Sequence, residues 1–162
     1  MPNPSAAADL DTSAGRLSDV IAHLRAARTD TARVEAKAAL SSVPKSLWET
    51  VSAFANTSGG VIVLGLREDA GFRPADGFDA SHIRDQFIVG MDDRANPKVA
   101  PAVPYSIDIG LIDETFPVVV IDIGPLPAGQ RPCYVVAQGV VNGSYRRVGD
   151  GDRPHRPLSG LS

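Results

Sequence analysis

Residues 46–66 carry the sequence SLWETVSAFANTSGGVIVLGL, and this stretch decides the fold. Its first half places Leu47, Val51 and Phe54 on one face at helical spacing. Gly59-Gly60 comes after a polar run, and glycine can take the left-handed backbone that ends a helix. The next four residues are apolar without alternation, which is typical of a strand covered on both faces. The stretch therefore predicts a helix, a glycine turn and a strand in the middle of a sheet.

Composition predicts one soluble cytoplasmic domain. The chain has 162 residues, of which 43% are hydrophobic, enough for one core and too few for two comfortable domains. A formal charge of −3 excludes a basic coat, so nucleic-acid binding would need a local patch. The single cysteine, Cys133, excludes a disulfide scaffold and fits a reducing compartment. Apolar runs stay well short of the roughly 20 residues of a spanning helix, so we expect no membrane partner.

The distribution of Gly, Pro and apolar residues along the chain predicts its organisation. Residues 1–12 are read as a flexible leader, residues 13–149 as the domain and residues 150–162 as a loop or tail. Apolar residues at helical spacing predict one helix from Ser13 to Ala27 and another that starts near Asp79 and reaches about Asp92.

The second half of the chain has β character. Residues 105–112 and 118–123 flank a turn-like sequence and predict a hairpin. Residues 133–137 and 140–148 predict two short strands, with Asn142-Gly143 as a tight turn or bulge. Earlier, residues 67–77 are predicted to be a polar loop, because glycine and proline punctuate them.

Residues 29–38 fit two structures on pattern alone. Their alanine content favours a helix. Arg33, Glu35 and Lys37, however, alternate with apolar residues, which is the period of a strand with one polar face.

Three stretches together resemble the Schlafen AlbA-like domain: EAK at 35–37, VSAFANTSGGVIVLGL at 51–66 and SYRRVG at 144–149, with Pro132 between the last two. The similarity covers about Asp30 to Gly149. It implies an α+β fold, a mixed β-sheet with helices packed against it, and it implies that residues 34–37 form a strand.

The same resemblance implies a role with nucleic acid. The family occurs in bacterial transcriptional regulators, often ahead of a winged helix, and in animal Schlafen proteins. We therefore expect a nucleic-acid-binding module, with DNA as the partner in a bacterial regulator. Two alternatives stay open: a metal-dependent endoribonuclease, because some animal members cleave RNA, and a protein-interaction or dimerisation domain that forms a homodimer.

An acidic constellation would carry the ribonuclease alternative. The resemblance places the catalytic and metal-binding acids on Asp30, Glu35 and Glu68, with Asp30 where the pattern has Glu and Arg67 in a second acidic place. Two or three carboxylates can hold Mg²⁺ or Mn²⁺, which activates water against a phosphodiester. The competing interpretation pairs Glu35 with Arg33 or Lys37 on an ordinary solvated strand face.

Basic residues at two places in the chain predict a phosphate-binding patch, in which guanidinium groups hold phosphate oxygens and a tyrosine stacks or donates. Arg147 is the preferred candidate, because the family keeps a basic residue before Val-Gly. The predicted contact residues are Arg33, Lys37, Lys45, Tyr145, Arg146 and Arg147.

Two other kinds of site are disfavoured. A phosphate loop runs from a strand into a helix N-terminus, whereas here a helix precedes Gly59-Gly60, so we expect a scaffold role for this turn. Cys133 lies in an apolar run without an evident histidine partner and is expected to pack in the core rather than act as a nucleophile.

Overall fold

A computed structural model describes residues 17–22, 24–26, 33–39, 41–149 and 151–154. The predicted leader and Asp30 lie outside the described residues. Three single-turn 3₁₀ segments occupy Glu68–Ala70, Ala128–Gln130 and Val136–Gln138. The helices and strands are α1 (helical at 17–22 and 24–26), β1 (Val34–Lys37), α2 (Lys45–Ala55), β2 (Gly60–Leu64), β3 (Leu66–Arg67), β4 (Arg73–Pro74), α3 (Ala80–Asp92), β5 (Val99–Ala100), β6 (Tyr105–Ile112), β7 (Phe116–Ile123), β8 (Tyr134–Val135), α4 (Gly139–Gly143), β9 (Tyr145–Val148) and β10 (Gly151–Pro154).

A four-stranded mixed sheet in the order β1-β2-β7-β6 forms the centre of the fold. β1 pairs with β2 in parallel through the α2 crossover, and β2-β7 and β7-β6 are antiparallel. The α+β fold is therefore confirmed, as are the strand assignment of β1, the β6-β7 hairpin and the interior position of β2.

Helices cover both faces of this sheet. Ile62 and Leu64 belong to a core cluster with residues of α2 and α3, whereas Val63 belongs to a second cluster with residues of α1. Successive side chains of a strand point to opposite faces, so these clusters lie on opposite sides of the sheet. The uninterrupted apolar run of β2 follows from this double coverage.

The glycine turn has the predicted backbone. Gly59 adopts φ +75°, and its N–H donates to the Phe54 carbonyl at 2.9 Å, which closes the end of α2. A Cβ at this position would lie 2.5 Å from the Ile123 carbonyl oxygen of β7. The turn therefore has room only for glycine, because the chain passes directly against β7.

Substituting Gly59 by alanine should destabilise the protein more than the same change at Gly77. Gly77 also has a left-handed backbone, φ +78°, but open space where a Cβ would be. Gly77→Ala should cost about 1–2 kcal/mol for the backbone alone, and Gly59→Ala at least about 1 kcal/mol more for the clash. Urea denaturation of both variants measures the difference, and equal losses would contradict it.

Several local predictions are wrong in extent. Residues 67–77 contain the small β3-β4 hairpin, and Phe72 within it is fully buried. The strand predicted at 133–137 has only two residues, and Asn142-Gly143 lies in the short helix α4 instead of a turn or bulge. Within the predicted tail, Gly151–Pro154 forms β10, which pairs with β9.

No helix among the described residues is long and apolar enough to cross a membrane.

Candidate functional site

The end of α2 and the residues just after it, 52–57, form hydrogen bonds to the C-terminal strands. The Asn56 amide nitrogen donates to the carbonyls of Cys133 (2.9 Å) and Tyr145 (2.8 Å), and its oxygen accepts from the Cys133 N–H at 2.7 Å. The Ser52 hydroxyl donates to the Cys133 carbonyl at 2.8 Å and accepts from the Tyr145 N–H at 3.0 Å. The expected scaffold role of the α2-β2 stretch thus has a physical basis: its helix end holds β9 and Cys133, the residue before β8.

Cys133 is fully buried beside these bonds. Burial raises the pKa of its thiol to about 12, so the sulfur stays protonated at neutral pH. The nucleophile is the thiolate, and Cys133 is therefore a packing residue, as expected.

The antiparallel β9-β10 ribbon has a charged inner face. Arg147 and Asp152 are direct cross-strand partners, and the Arg147 Nη1 lies 2.8 Å from the Asp152 Oδ1. Asp152 also accepts from the Thr50 hydroxyl of α2 at 2.7 Å. The Arg147 guanidinium lies 5.0 Å from the centroid of the Phe54 ring, which adds a cation–π contact. Together these contacts attach the ribbon to α2.

Glu35 of β1 completes the cluster. Its Oε2 lies 2.9 Å from Arg147 Nη1, and its Oε1 lies 3.0 Å from Lys37 Nζ. With Asp152, two carboxylates face two cations, so the formal charges balance. Burial by itself lowers the pKa of the Arg147 guanidinium, but the hydrogen bond to Asp152 and the charges of Glu35 and Asp152 raise it above its ordinary value. Arg147 therefore stays cationic.

This burial changes two predictions. Glu35 does pair with Lys37, but it is buried rather than part of a solvated strand face. The Arg147 side chain has only 2% of its surface exposed, and its second nitrogen, Nη2, donates to the Val34 carbonyl at 3.3 Å. An enclosed guanidinium has no surface left for a phosphate, so the structure gives Arg147 a role inside the domain.

The two described acids of the predicted set, Glu35 and Glu68, do not fit a metal site as they stand. Both oxygens of Glu35 face cations, so a metal ion would have to displace Lys37 and Arg147. Glu68 is exposed at the start of a 3₁₀ turn that follows β3. Across the described part of the chain, no group of three or more His, Cys, Asp or Glu residues could hold a metal ion. The third predicted acid, Asp30, lies outside the described residues.

The outer face of the β9-β10 ribbon has the opposite character. Arg146 of β9 lies directly opposite Arg153 of β10, and both side chains are exposed. Directly opposed like charges destabilise a strand pair. Neither arginine forms an ion pair with a described residue. The outer face of the ribbon therefore presents two adjacent cations, while the ion pairs of its inner face hold the ribbon in place.

The other predicted contact residues are spread around α2. Arg33 is exposed and donates to the Ser58 carbonyl just past the C-terminal end of the helix. Lys45 begins the helix, so the two are separated by its length of about 16 Å. Tyr145 is half-buried, and its hydroxyl donates to Gln138 at 2.7 Å. Lys37 is bound to Glu35. Of the predicted set, only Arg146 is both exposed and next to another exposed cation across a strand pair.

Arg153 is the exposed cation that the sequence prediction left out of the contact set. Arg153 belongs to the second group of basic residues in the sequence, but the stretch around it reads as a solvated loop or tail. The pairing of β10 with β9 places it beside Arg146, in the same register that places Asp152 opposite Arg147 on the inner face.

Comparison with known proteins gives a consistent result. The family model described as "Schlafen, AlbA_2" matches residues 30–156. No curated protein matches the chain. Among solved structures, the chain is similar to the N-terminal domain of a RecG-related protein, named for the ATP-dependent DNA helicase, from Nitrosomonas europaea, with 28% identity and a TM-score of 0.59 over 86% of this chain and 92% of that one. It also matches the DIP2311 protein from Corynebacterium diphtheriae, with 18% identity and a TM-score of 0.49 over 87% of this chain and 27% of that one.

The family match includes both segments that form the buried ion pairs, namely β1 with Glu35 and the β9-β10 ribbon with Arg147 and Asp152. It also includes the α2-β2 stretch that decides the fold. The chain therefore belongs to the Schlafen AlbA_2 family.

Proposed function

We propose that this chain binds nucleic acid, and DNA in particular, through the outer face of the β9-β10 ribbon. The observation that carries the proposal is the exposed pair Arg146 and Arg153, directly opposite each other. A phosphate between two guanidinium groups would relieve their repulsion and receive charge-assisted hydrogen bonds from both. Arg33 and Lys45 are exposed and add positive charge at the two ends of the neighbouring helix.

The family and the neighbouring structure support the same role. The similar Nitrosomonas europaea domain comes from a protein named for a DNA helicase, and this chain covers 92% of that domain. A net charge of −3 also directs attention to a local patch, because the whole surface would repel a polyanion. In this proposal, the chain serves as the DNA-binding module of a bacterial transcriptional regulator.

Fluorescence anisotropy with labelled duplex DNA across a salt series tests it. We expect the Arg146→Gln, Arg153→Gln double variant to weaken binding by about tenfold or more for each arginine, since hydrogen bonds to charged groups contribute about 1.5–3 kcal/mol. The slope of log affinity against log salt should become shallower by about 0.9, because the contact to the one phosphate between the two arginines is lost.

An Arg84→Gln, Arg94→Gln double variant is the matched control. It removes the same charge from α3 and the loop after it, away from the ribbon. Equal losses in the two double variants would place binding elsewhere and contradict the proposed surface. Absence of binding by the wild type at low salt would contradict the function itself.

Labelled RNA with and without Mn²⁺ forms a second arm of this experiment. We expect intact RNA in both conditions, because the Glu35 oxygens are engaged by Lys37 and Arg147. Cleavage that requires Mn²⁺ and is lost in Glu35→Gln would favour the ribonuclease alternative. RNA bound more tightly than DNA would move the proposed partner from DNA to RNA.

A further inference from the structure

We propose that two copies of this chain pair through the open edge of β6 and form one continuous antiparallel sheet. β6 ends the sheet order β1-β2-β7-β6 and is eight residues long. In the described part of the chain, its only ladder partner is β7. A long strand with a free edge is a template for another strand. This inference does not depend on nucleic-acid binding.

Two hydrogen bonds show which groups of β6 point outward. The Gly124 N–H donates to the Pro104 carbonyl at 2.9 Å, and the Thr115 N–H donates to the Ile112 carbonyl at 3.0 Å. The backbone N–H and C=O groups of the even-numbered residues of β6 therefore point toward β7. Hydrogen-bonding direction alternates along an antiparallel strand. The N–H and C=O groups of Tyr105, Ile107, Ile109 and Leu111 therefore point toward the open edge.

The side chains of these outward-facing residues are apolar where the edge is most open. Ile109 and Leu111 are 36% and 57% exposed, on the sheet face that α3 covers further along. Natural edge strands are commonly protected by charges, prolines or bulges. β6 has one charged residue, Asp108, and it points to the other face of the sheet.

The opposite edge of the sheet differs in each respect. β1 has only four residues, and the Val34 carbonyl on its outer side accepts from Arg147 at 3.3 Å. A partner strand would have to displace that guanidinium. The edge available for pairing is thus β6.

Charge selects the register of the pairing. Only residues whose groups point outward can bond to each other, so odd-numbered residues must meet odd-numbered ones. One of the two registers with the greatest overlap places Asp108 opposite Asp108, which brings two carboxylates together. The other places Ile109 opposite Ile109, Ile107 opposite Leu111 and Asp108 opposite Gly110. This second register makes apolar pairs on one face and leaves each carboxylate opposite a glycine.

A symmetric antiparallel pair of this kind has a twofold axis at Ile109, the arrangement of most homodimers. The sheet order becomes β1-β2-β7-β6 followed by the same strands of the second copy in reverse. Light scattering across a concentration series should give twice the mass of one chain at high concentration. A monomer at every concentration from micromolar to millimolar would overturn the proposal and leave the edge to a different partner.

A lysine on the edge tests the surface. Leu111→Lys should raise the dimer dissociation constant at least about tenfold, because it places a charge in each outer apolar pair. Val89→Lys is the matched control, because it puts a lysine in place of an apolar side chain that is 65% exposed on α3 and not part of the β6 strand. Circular dichroism melting checks that both variants fold. Equal dimerisation of the two variants would overturn the assignment to β6.

Cysteine crosslinking tests the register. Ile109→Cys should give a disulfide-linked dimer on mild oxidation, because the two copies of residue 109 face each other. Leu111→Cys should not, since its two copies lie four residues apart along the strands, about 14 Å. Native Cys133 is buried and does not compete. Crosslinking through Asp108→Cys but not Ile109→Cys would overturn the register.

Discussion

Replacing Arg147 by methionine should lower the free energy of unfolding by about 3–5 kcal/mol, the usual cost of removing one partner of a buried ion pair. The change leaves Glu35 and Asp152 enclosed without the cation that lies 2.9 and 2.8 Å from them. Methionine keeps most of the apolar length against Phe54, so the loss reports the charge and its hydrogen bonds. Such a loss is a large part of the 5–15 kcal/mol that stabilises an ordinary domain.

Urea denaturation measures the effect, and two companions interpret it. Arg84→Met removes an exposed arginine that pairs with Asp85 and should cost no more than about 1 kcal/mol. Glu35→Gln should cost less in the Arg147→Met background than alone, because its partner is already missing. A loss below about 1 kcal/mol for Arg147→Met would show that the guanidinium is not a structural link, and would return it to the candidate phosphate contacts.

The order of the main helices and strands could be predicted because each has a recognisable pattern of apolar residues in its own sequence. The apolar faces of α2 and α3 repeat at helical spacing, and β2 is apolar throughout because helices cover both its faces. The hairpin of β6 and β7 is likewise visible from two runs and a turn. In each case, the residues that decide the structure lie within a few positions of one another.

The errors come from residues whose partners are distant in sequence. β10 reads Gly-Asp-Arg-Pro, which has no apolar face, because its inner residue is an aspartate that pairs with Arg147. A buried ion pair looks like two surface residues when only the sequence is considered. The same cause misplaced Arg147 on the surface and hid Arg153 in a tail.

Turn chemistry also failed where tertiary packing decides the backbone. Asn142-Gly143 is a common hairpin signal, yet it lies in α4, and a Cβ on Gly143 would lie 2.6 Å from the Val135 carbonyl. Close approach between chain segments explains this glycine. Asn56, the residue just after α2, is the parallel case, because its amide bonds to residues far along the chain.

Exchanging Asn56 for aspartate should therefore cost about 3 kcal/mol or more, although the two side chains have nearly the same shape. The amide nitrogen donates to the carbonyls of Cys133 and Tyr145, and each buried group left unpaired costs about 1–3 kcal/mol. A carboxylate would also place negative charge against both carbonyl oxygens. Asn142→Asp, at an exposed site on α4, should change stability by less than about 0.5 kcal/mol.

Amide hydrogen exchange can show whether Asn56→Asp first loosens the ribbon from α2 or destabilises the whole domain at once. The Cys133 N–H donates to the Asn56 side chain, and the Tyr145 N–H donates to Ser52, which also bonds to Asn56. Both amides should exchange faster in Asn56→Asp than the amides of the β6-β7 hairpin, because the ribbon detaches from α2 first. Since the exposed arginines Arg146 and Arg153 depend on that attachment for their position, the same variant should lose DNA affinity at temperatures where the central sheet is still folded. Uniformly faster exchange across sheet and ribbon would show instead that Asn56 supports the whole domain and does not specifically hold the proposed binding surface in place.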